Sequence, residues 1–319
     1  MNINLEAQKL VDKILSTSPK GTLSLGVNVN GVFSWENYGF ENQKYYDDKV
    51  PNYEIGSLTK LFTAFYILHL INKSGGITLE TQIDEIIPDL PLGDYPTIKE
   101  LMMHQSGYGY FLPLSMRDIF KIIHYGTRKS NPYYENMLSS NVHRILKKKK
   151  PPRIRIPVYS NFGYAILGYI ISIIEKNSFE DCMNTFNRKV LNLKYTSFDN
   201  ERLLAGYFKG ENCGNWNWSN VSKNNVGRAT GGLRSNIVDM LKFSNVIMEE
   251  FAKSKALNFG IIGMSRKASG LWFKVGQTGT HYSVMVFDTT KDISVVVLLN
   301  SVNRYCLPLA FELIEGFIN

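Results

Sequence analysis

The sequence predicts an α/β (α+β) fold: a mixed antiparallel sheet drawn from both ends of the chain, flanked by the terminal helices, with a helical lobe inserted between its halves. Three observations carry this expectation. Two alternating apolar runs, 22–29 and 32–39, are joined by Asn30-Gly31, the strongest short-range signal of a β-hairpin. From about Leu58 to about Asn192 the apolar residues recur at helical spacing. Strand character returns in 271–275, 283–287 and 293–299, with 288–292 turning between the last two.

Taken in order, the first fifteen residues put Leu5, Leu10 and Ile14 at helical spacing. The hairpin follows. Gly56 then provides a turn before an apolar helix over 61–71, and a second apolar helix runs over 162–174. Gly75-Gly76, the stretch from Pro88 to Pro96, and Pro151-Pro152 punctuate the helical region. A closing helix spans about 307–317. The expected organisation is one domain of two lobes. Residues 1–56 with about 220–319 form the sheet lobe, and about 57–219 form a mostly helical one. A site is expected in the cleft between them.

Composition narrows the function. With 319 residues, 44% hydrophobic and 20% charged, the chain has material for a proper core, which excludes a disordered chain or a small disulfide scaffold. Cys182, Cys213 and Cys306 are too scattered for a disulfide framework or a zinc site, and the five histidines are equally dispersed. No metal and no cofactor is expected. The apolar stretches 61–71 and 164–174 fall short of the roughly 17–25 residues of a membrane span. The amino terminus lacks the pattern of a signal peptide, so a cytoplasmic protein is expected unless a leader has been trimmed. The net charge of +8 is partly concentrated in the run from Lys147 to Arg155. That run reads as a solvated loop, stopped by Pro151 and Pro152, or as a weak contact for an anionic surface. Without interleaved aromatics it does not suggest a nucleic-acid partner.

Three short segments bear chemistry. Ser57-Leu58-Thr59-Lys60 opens the first apolar helix and is the only S-x-x-K in the chain. A serine there sits beside free N–H groups and the positive end of the helix dipole. A lysine three residues on lies on the same face, and burial favours its neutral, basic form. The other reading is a capping serine with a surface lysine. Tyr159-Ser160-Asn161 precedes the second apolar helix and also reads as a helix cap. Gln277-Thr278-Gly279-Thr280 ends a strand and also reads as a turn, with Gly279 supplying an unusual backbone angle.

Together these segments resemble the β-lactamase-related serine hydrolases: class C β-lactamases, DD-peptidases of the penicillin-binding-protein type, D-aminopeptidases and carboxylesterases. Their signatures are S-x-x-K, Y-x-N and K/H-T/G-G. The segments 97–107 (TIKELMMHQSG), 159–168 (YSNFGYAILG) and 231–235 (GGLRS), the last followed by Asp239-Met240, are similar to further family patterns. The resemblance runs from about Thr22 to Phe317. It implies a β-lactamase/transpeptidase-like fold and an acyl-enzyme on Ser57, with Lys60 and Tyr159 exchanging its proton. It implies an oxyanion hole from the N–H groups of Ser57 and Thr280. Asn161 would hold Lys60 and a substrate amide or carbonyl, and Gln277, Thr278 and Gly279 would line the substrate site. Gln277 departs from the pattern, because the family has lysine or histidine there and glutamine brings no charge. Arg304, after a strand roughly 9–10 Å away in the sheet, is the candidate to compensate, or else only caps the preceding turn.

The expected substrate is a small-molecule or peptide ester or amide, processed by a serine hydrolase or acyl transferase of esterase or peptidase type. A catalytically silent acyl- or penicillin-binding sensor, or a cell-wall DD-peptidase or β-lactamase, are the alternatives.

Overall fold

A six-stranded sheet organises the computed structural model, which describes residues 3–39, 50–109, 131, 137–148, 155–199, 201–216, 224–253 and 259–317. β1 (Leu23–Val29) and β2 (Val32–Tyr38) form the expected hairpin. Asn30 and Gly31 take φ of 51° and 81°, the left-handed pair that a two-residue hairpin turn of this hand needs. Two short pairs come next in the chain: β3 (Tyr53–Glu54) with β6 (Arg234–Ser235), and β4 (Gly206–Phe208) with β5 (Glu211–Gly214). β7 (Ser265–Arg266), β8 (Trp272–Gln277), β9 (Tyr282–Asp288) and β10 (Ile293–Leu299) complete the large sheet in the order β2-β1-β10-β9-β8-β7. All its ladders are antiparallel, and β1 pairs with β10 so that Leu23 lies opposite Leu299 and Val29 opposite Ile293.

The central strands read as continuous apolar runs because both faces of the sheet are covered. Val295, Val297 and Leu299 of β10 pack with Leu25, Val27, Val284 and Val286 beneath the terminal helices, α1 (Leu5–Thr17) and Cys306–Gly316. Val296, Leu298, Met285 and Phe287 face the other side and join the larger core of the helical region. α1 begins where Asn4 accepts the amide of Ala7 at 2.8 Å, the usual work of an N-cap.

In the helical region, α2 (Thr59–Ser74) is apolar on nearly every side and runs through the core, and Gly75 at φ 60° ends it. α3 (Ile98–Met102) and the helices Ser139–Lys148, Asn161–Glu175 and Phe179–Lys189 surround it. Among the described residues no helix is long and apolar enough to cross a membrane. Of the basic run, 149–154 lie outside the described residues. Arg155 does not belong to a solvated loop: its guanidinium, 14% exposed, reaches Asp94 at 2.6 Å and Glu100 at 2.5 Å.

Candidate active site

Ser57 stands on a 3-10 turn, Gly56–Leu58, that runs straight into α2. The turn is pressed against the end of β8. Gly56 has φ of 49°, and a Cβ there would lie 2.6 Å from the backbone nitrogen of Gln277. A Cβ on Gly276 would lie 2.1 Å from the carbonyl oxygen of Ile55 and 3.0 Å from the amide nitrogen of Leu58. Only glycine permits this approach. The Ser283 hydroxyl on β9 adds a tie, donating to the Ile55 carbonyl at 2.8 Å. The positive φ expected at Gly279 falls instead on Gly56, because the tight bend lies before the serine and not after the strand.

The serine is not a cap. α2 has no side-chain cap bond, and the Ser57 hydroxyl oxygen is instead met by Lys60 Nζ at 3.1 Å and by the Tyr159 hydroxyl at 2.8 Å. Lys60 is fully buried, and its nitrogen also donates to the Thr230 carbonyl at 2.6 Å. That carbonyl ends a 3-10 turn, Val226–Thr230, where the last oxygens lack partners within the turn and attract a donor. It takes the place expected for Asn161. Asn161 is buried at the first position of its helix, and among the described residues its side chain makes no bond to Lys60. Burial and the nearby charge of Lys274 hold the Lys60 ammonium well below the usual lysine range.

Tyr159 is placed by the helix that follows it. Ser160 caps that helix by accepting the amide of Gly163 at 3.0 Å, and donates its own amide to His104 Nδ1 at 3.1 Å. The His104 ring packs on Tyr159 with centroids 4.4 Å apart. Burial, Lys274 and Lys60 push the His104 imidazole down to about 2, so it is neutral, and the proton stays on Nε2 because Nδ1 accepts.

Beyond β8, the Thr278 amide donates to the His281 carbonyl at 3.1 Å, closing the turn that carries Thr280. The Thr278 hydroxyl donates to Glu54 Oε2 at 2.6 Å. Glu54 is 2% exposed and also accepts the Trp216 amide at 2.7 Å, so a buried carboxylate anchors the turn to β3. The Thr280 hydroxyl donates to the Gly214 carbonyl at 3.2 Å, leaving its backbone amide as the group it can offer a substrate. Among the described residues neither that amide nor that of Ser57 has a protein acceptor. Gly279 is buried and Gln277 exposed. Arg304 is also exposed, at the start of the last helix, and its charge acts on the Tyr282 phenol, the residue paired with Gln277.

His104 was read only as part of the family-like segment 97–107, and Glu54 and Lys274 were not singled out in the sequence. The one visible signal was a lysine inside the otherwise apolar strand 271–275. A cavity of about 380 Å³ borders Tyr159, His104 and Lys274.

Comparison with known proteins identifies the fold and the family. A β-lactamase from Providencia stuartii is 22% identical over 258 residues, covering 78% of this chain and 61% of that protein. Protein flp of Staphylococcus aureus (strain N315) is 27% identical over 205 residues, 60% of this chain and 39% of that protein, so the chain spans less than two thirds of the length of these relatives. A class C β-lactamase from Rhodobacter sphaeroides superposes with a TM-score of 0.74 at 17% identity, covering 99% of this chain and all of that one. An octameric penicillin-binding protein homologue from Pyrococcus abyssi gives 0.74 at 19%, covering 98% of this chain and 77% of that one. The family model described as Beta-lactamase matches residues 11–306, and with Ser57, Lys60 and Tyr159 brought together on that fold, the chain belongs to the β-lactamase family.

Proposed function

We propose that the protein is a serine hydrolase or acyl transferase that works through an acyl-enzyme on Ser57. The observation that carries this reading is the pair of contacts at the Ser57 oxygen, from a tyrosine hydroxyl and from a lysine that burial disposes to be neutral. Neutral Lys60, directly or through Tyr159, takes the Ser57 proton as Oγ attacks an ester or amide carbonyl. The carbonyl oxygen becomes an oxyanion, and the amides of Ser57 and Thr280 are the donors available to it. Collapse expels the leaving group, which takes back the proton. Water or a second acceptor, deprotonated by the same pair, then releases the acyl group and restores Ser57.

Gln277 stands exposed where the family has a cation, so the preferred substrates are neutral esters, amides or peptides over those recognised by a free carboxylate. Asn161 and Arg304 are assigned to the substrate side of the site. The same Gln277 favours a second reading, a silent acyl- or penicillin-binding protein. Intact-mass analysis after mixing with a fluorophosphonate, a penicillin and a panel of activated esters separates the two. An adduct absent from Ser57→Ala, with ester turnover, supports the enzyme. A stable adduct without turnover supports the binding protein, and label retained by Ser57→Ala overturns both.

A further inference from the structure

Strand β8 carries a lysine where its neighbours predict an apolar residue. Lys274 is 6% exposed, and its ammonium donates to the Gly263 carbonyl. Alternate residues of a strand share a face, so Lys274 projects to the same side as Gly276, whose Cβ direction runs into Ile55 and Leu58 beside Ser57. Its nitrogen lies 5.2 Å from the centroid of the Tyr159 ring. Lys60 Nζ lies 5.0 Å from the same centroid, which leaves the two nitrogens at most about 10 Å apart.

The surroundings give these charges little help. Lys60 comes from α2, Tyr159 and Tyr164 from the segment and helix around Asn161, and His104 from the turn after α3; Lys274 meets them from the sheet. Among the described residues neither lysine forms an ion pair with a carboxylate; their partners are Ser57 and the carbonyls of Thr230 and Gly263. His104 is neutral and adds no counter-charge. Two ammonium groups on one ring, without an anion, disfavour each other. Lys274 borders the cavity of about 380 Å³, while Lys60 is fully enclosed, so solvent reaches the cavity beside Lys274 and the proton settles there.

We propose that Lys274 is a positioning residue for the Ser57 chemistry: its ammonium, beside the same Tyr159 ring as Lys60, keeps Lys60 in the neutral form that accepts the Ser57 proton. The charge comes from the strand that ends at Gln277, but on the face of Gly276 and toward Tyr159. The inference rests on the acyl-enzyme reading for its catalytic meaning, and on the ring geometry for the coupling itself. Burial lowers Lys274 to about 7, in keeping with a group that exchanges its proton in the working range of the site.

The test reads Lys60 directly. Lysine 13Cε resonances are followed by NMR through a pH titration in the parent, Lys274→Met and Lys274→Arg, with Lys60→Arg used only for assignment. The rate of fluorophosphonate labelling is measured over the same pH range. In Lys274→Met the Lys60 midpoint moves up by about one pH unit, the effect expected of one charge at this separation in a partly screened interior. The acid limb of labelling moves with it, so that labelling near neutrality falls about tenfold and recovers at high pH. Lys274→Arg, which keeps the charge, leaves the Lys60 midpoint at or below that of the parent. In the parent, the two lysine curves each carry the inflection of the other, a measurement that stands even if the methionine variant fails to fold. An unmoved Lys60 midpoint, a loss of labelling equal at every pH, or independent parent curves each overturn the proposal. A moved Lys60 in a protein whose Ser57 takes no label upholds the coupling and overturns the acyl-enzyme reading instead.

Discussion

Tyr159 offers its hydroxyl to Ser57 and its ring to Lys60, Lys274 and His104, so one oxygen atom can be removed while the packing stays. Tyr159→Phe is expected to slow acylation or deacylation by about 10²–10⁴-fold, the usual worth of a positioned proton-transfer group, with little change in melting temperature. Pre-steady-state ester hydrolysis measures it, and a rate within a factor of about three of the parent would reduce Tyr159 to packing. Gln277, exposed at the strand end, can be changed with small structural cost. Gln277→Lys is expected to raise kcat/KM for penicillin or a D-alanyl peptide about tenfold relative to a neutral ester, which needs only about 1.4 kcal/mol of differential binding. The ratio, taken at low and high salt, checks the electrostatic origin. Ser57, Lys60 and Tyr159 were legible beforehand through the resemblance of several ordered segments to one family, since S-x-x-K and Y-S-N taken alone also read as helix caps. Lys274 and Glu54 were not. A charged residue in an apolar strand acquires meaning only when segments far along the chain close around it, as Gly263 and Tyr159 do around Lys274.

Elements differ in the same way. The seven-residue strands β1, β2 and β10 and the long helices announce themselves by period, whereas the two-residue β3 and β6 are too short to show one. β3 matters because it holds Glu54, yet its pairing is settled by tertiary contacts from Thr278 and Trp216. The junction between β8 and the turn before α2 is the element on which the site depends. Gly276→Ala is expected to destabilise the protein by about 1–3 kcal/mol, because its methyl meets backbone on one side and the Ser283 hydroxyl on the other. Activity should fall far more than stability, since a displacement of Ser57 from its donors by about 1 Å is costly in rate. Urea unfolding beside ester turnover gives both numbers, and a variant fully active but unstable would show that the turn tolerates movement.

At the scale of the whole molecule, the buried bases set a pH profile for stability. Lys274 is lowered to about 7 when folded, against about 10.4 when unfolded, and Lys60 moves in the same direction. Between those values the unfolded chain binds more protons, so stability rises as pH rises; below the folded value the full penalty is present. His104, about 2 when folded, contributes a rise of the same sign from there to its ordinary 6.5. Tyr164 and Cys306 are raised by burial, and their contribution turns downward from their ordinary values upward, about 8.5 for the thiol and about 10 for the phenol. The urea midpoint is therefore expected to climb from pH 6 to a maximum near pH 9, by the linkage relation roughly, and Lys274→Met to flatten the climb above pH 7. A midpoint that falls over this interval would contradict the lowering of the two buried lysines below the ordinary lysine range. The sheet order has a consequence in time. β1 needs β10, whose first residue, Ile293, lies opposite Val29. At about 5–20 residues per second, a ribosome leaves the β1–β2 hairpin waiting roughly 15–50 s for that partner, with one edge open and the apolar face of Leu23, Leu25, Val27 and Val29 uncovered. Nascent chains stalled before β10 should be cut readily by protease and retained by chaperones, and chains released after it should resist both.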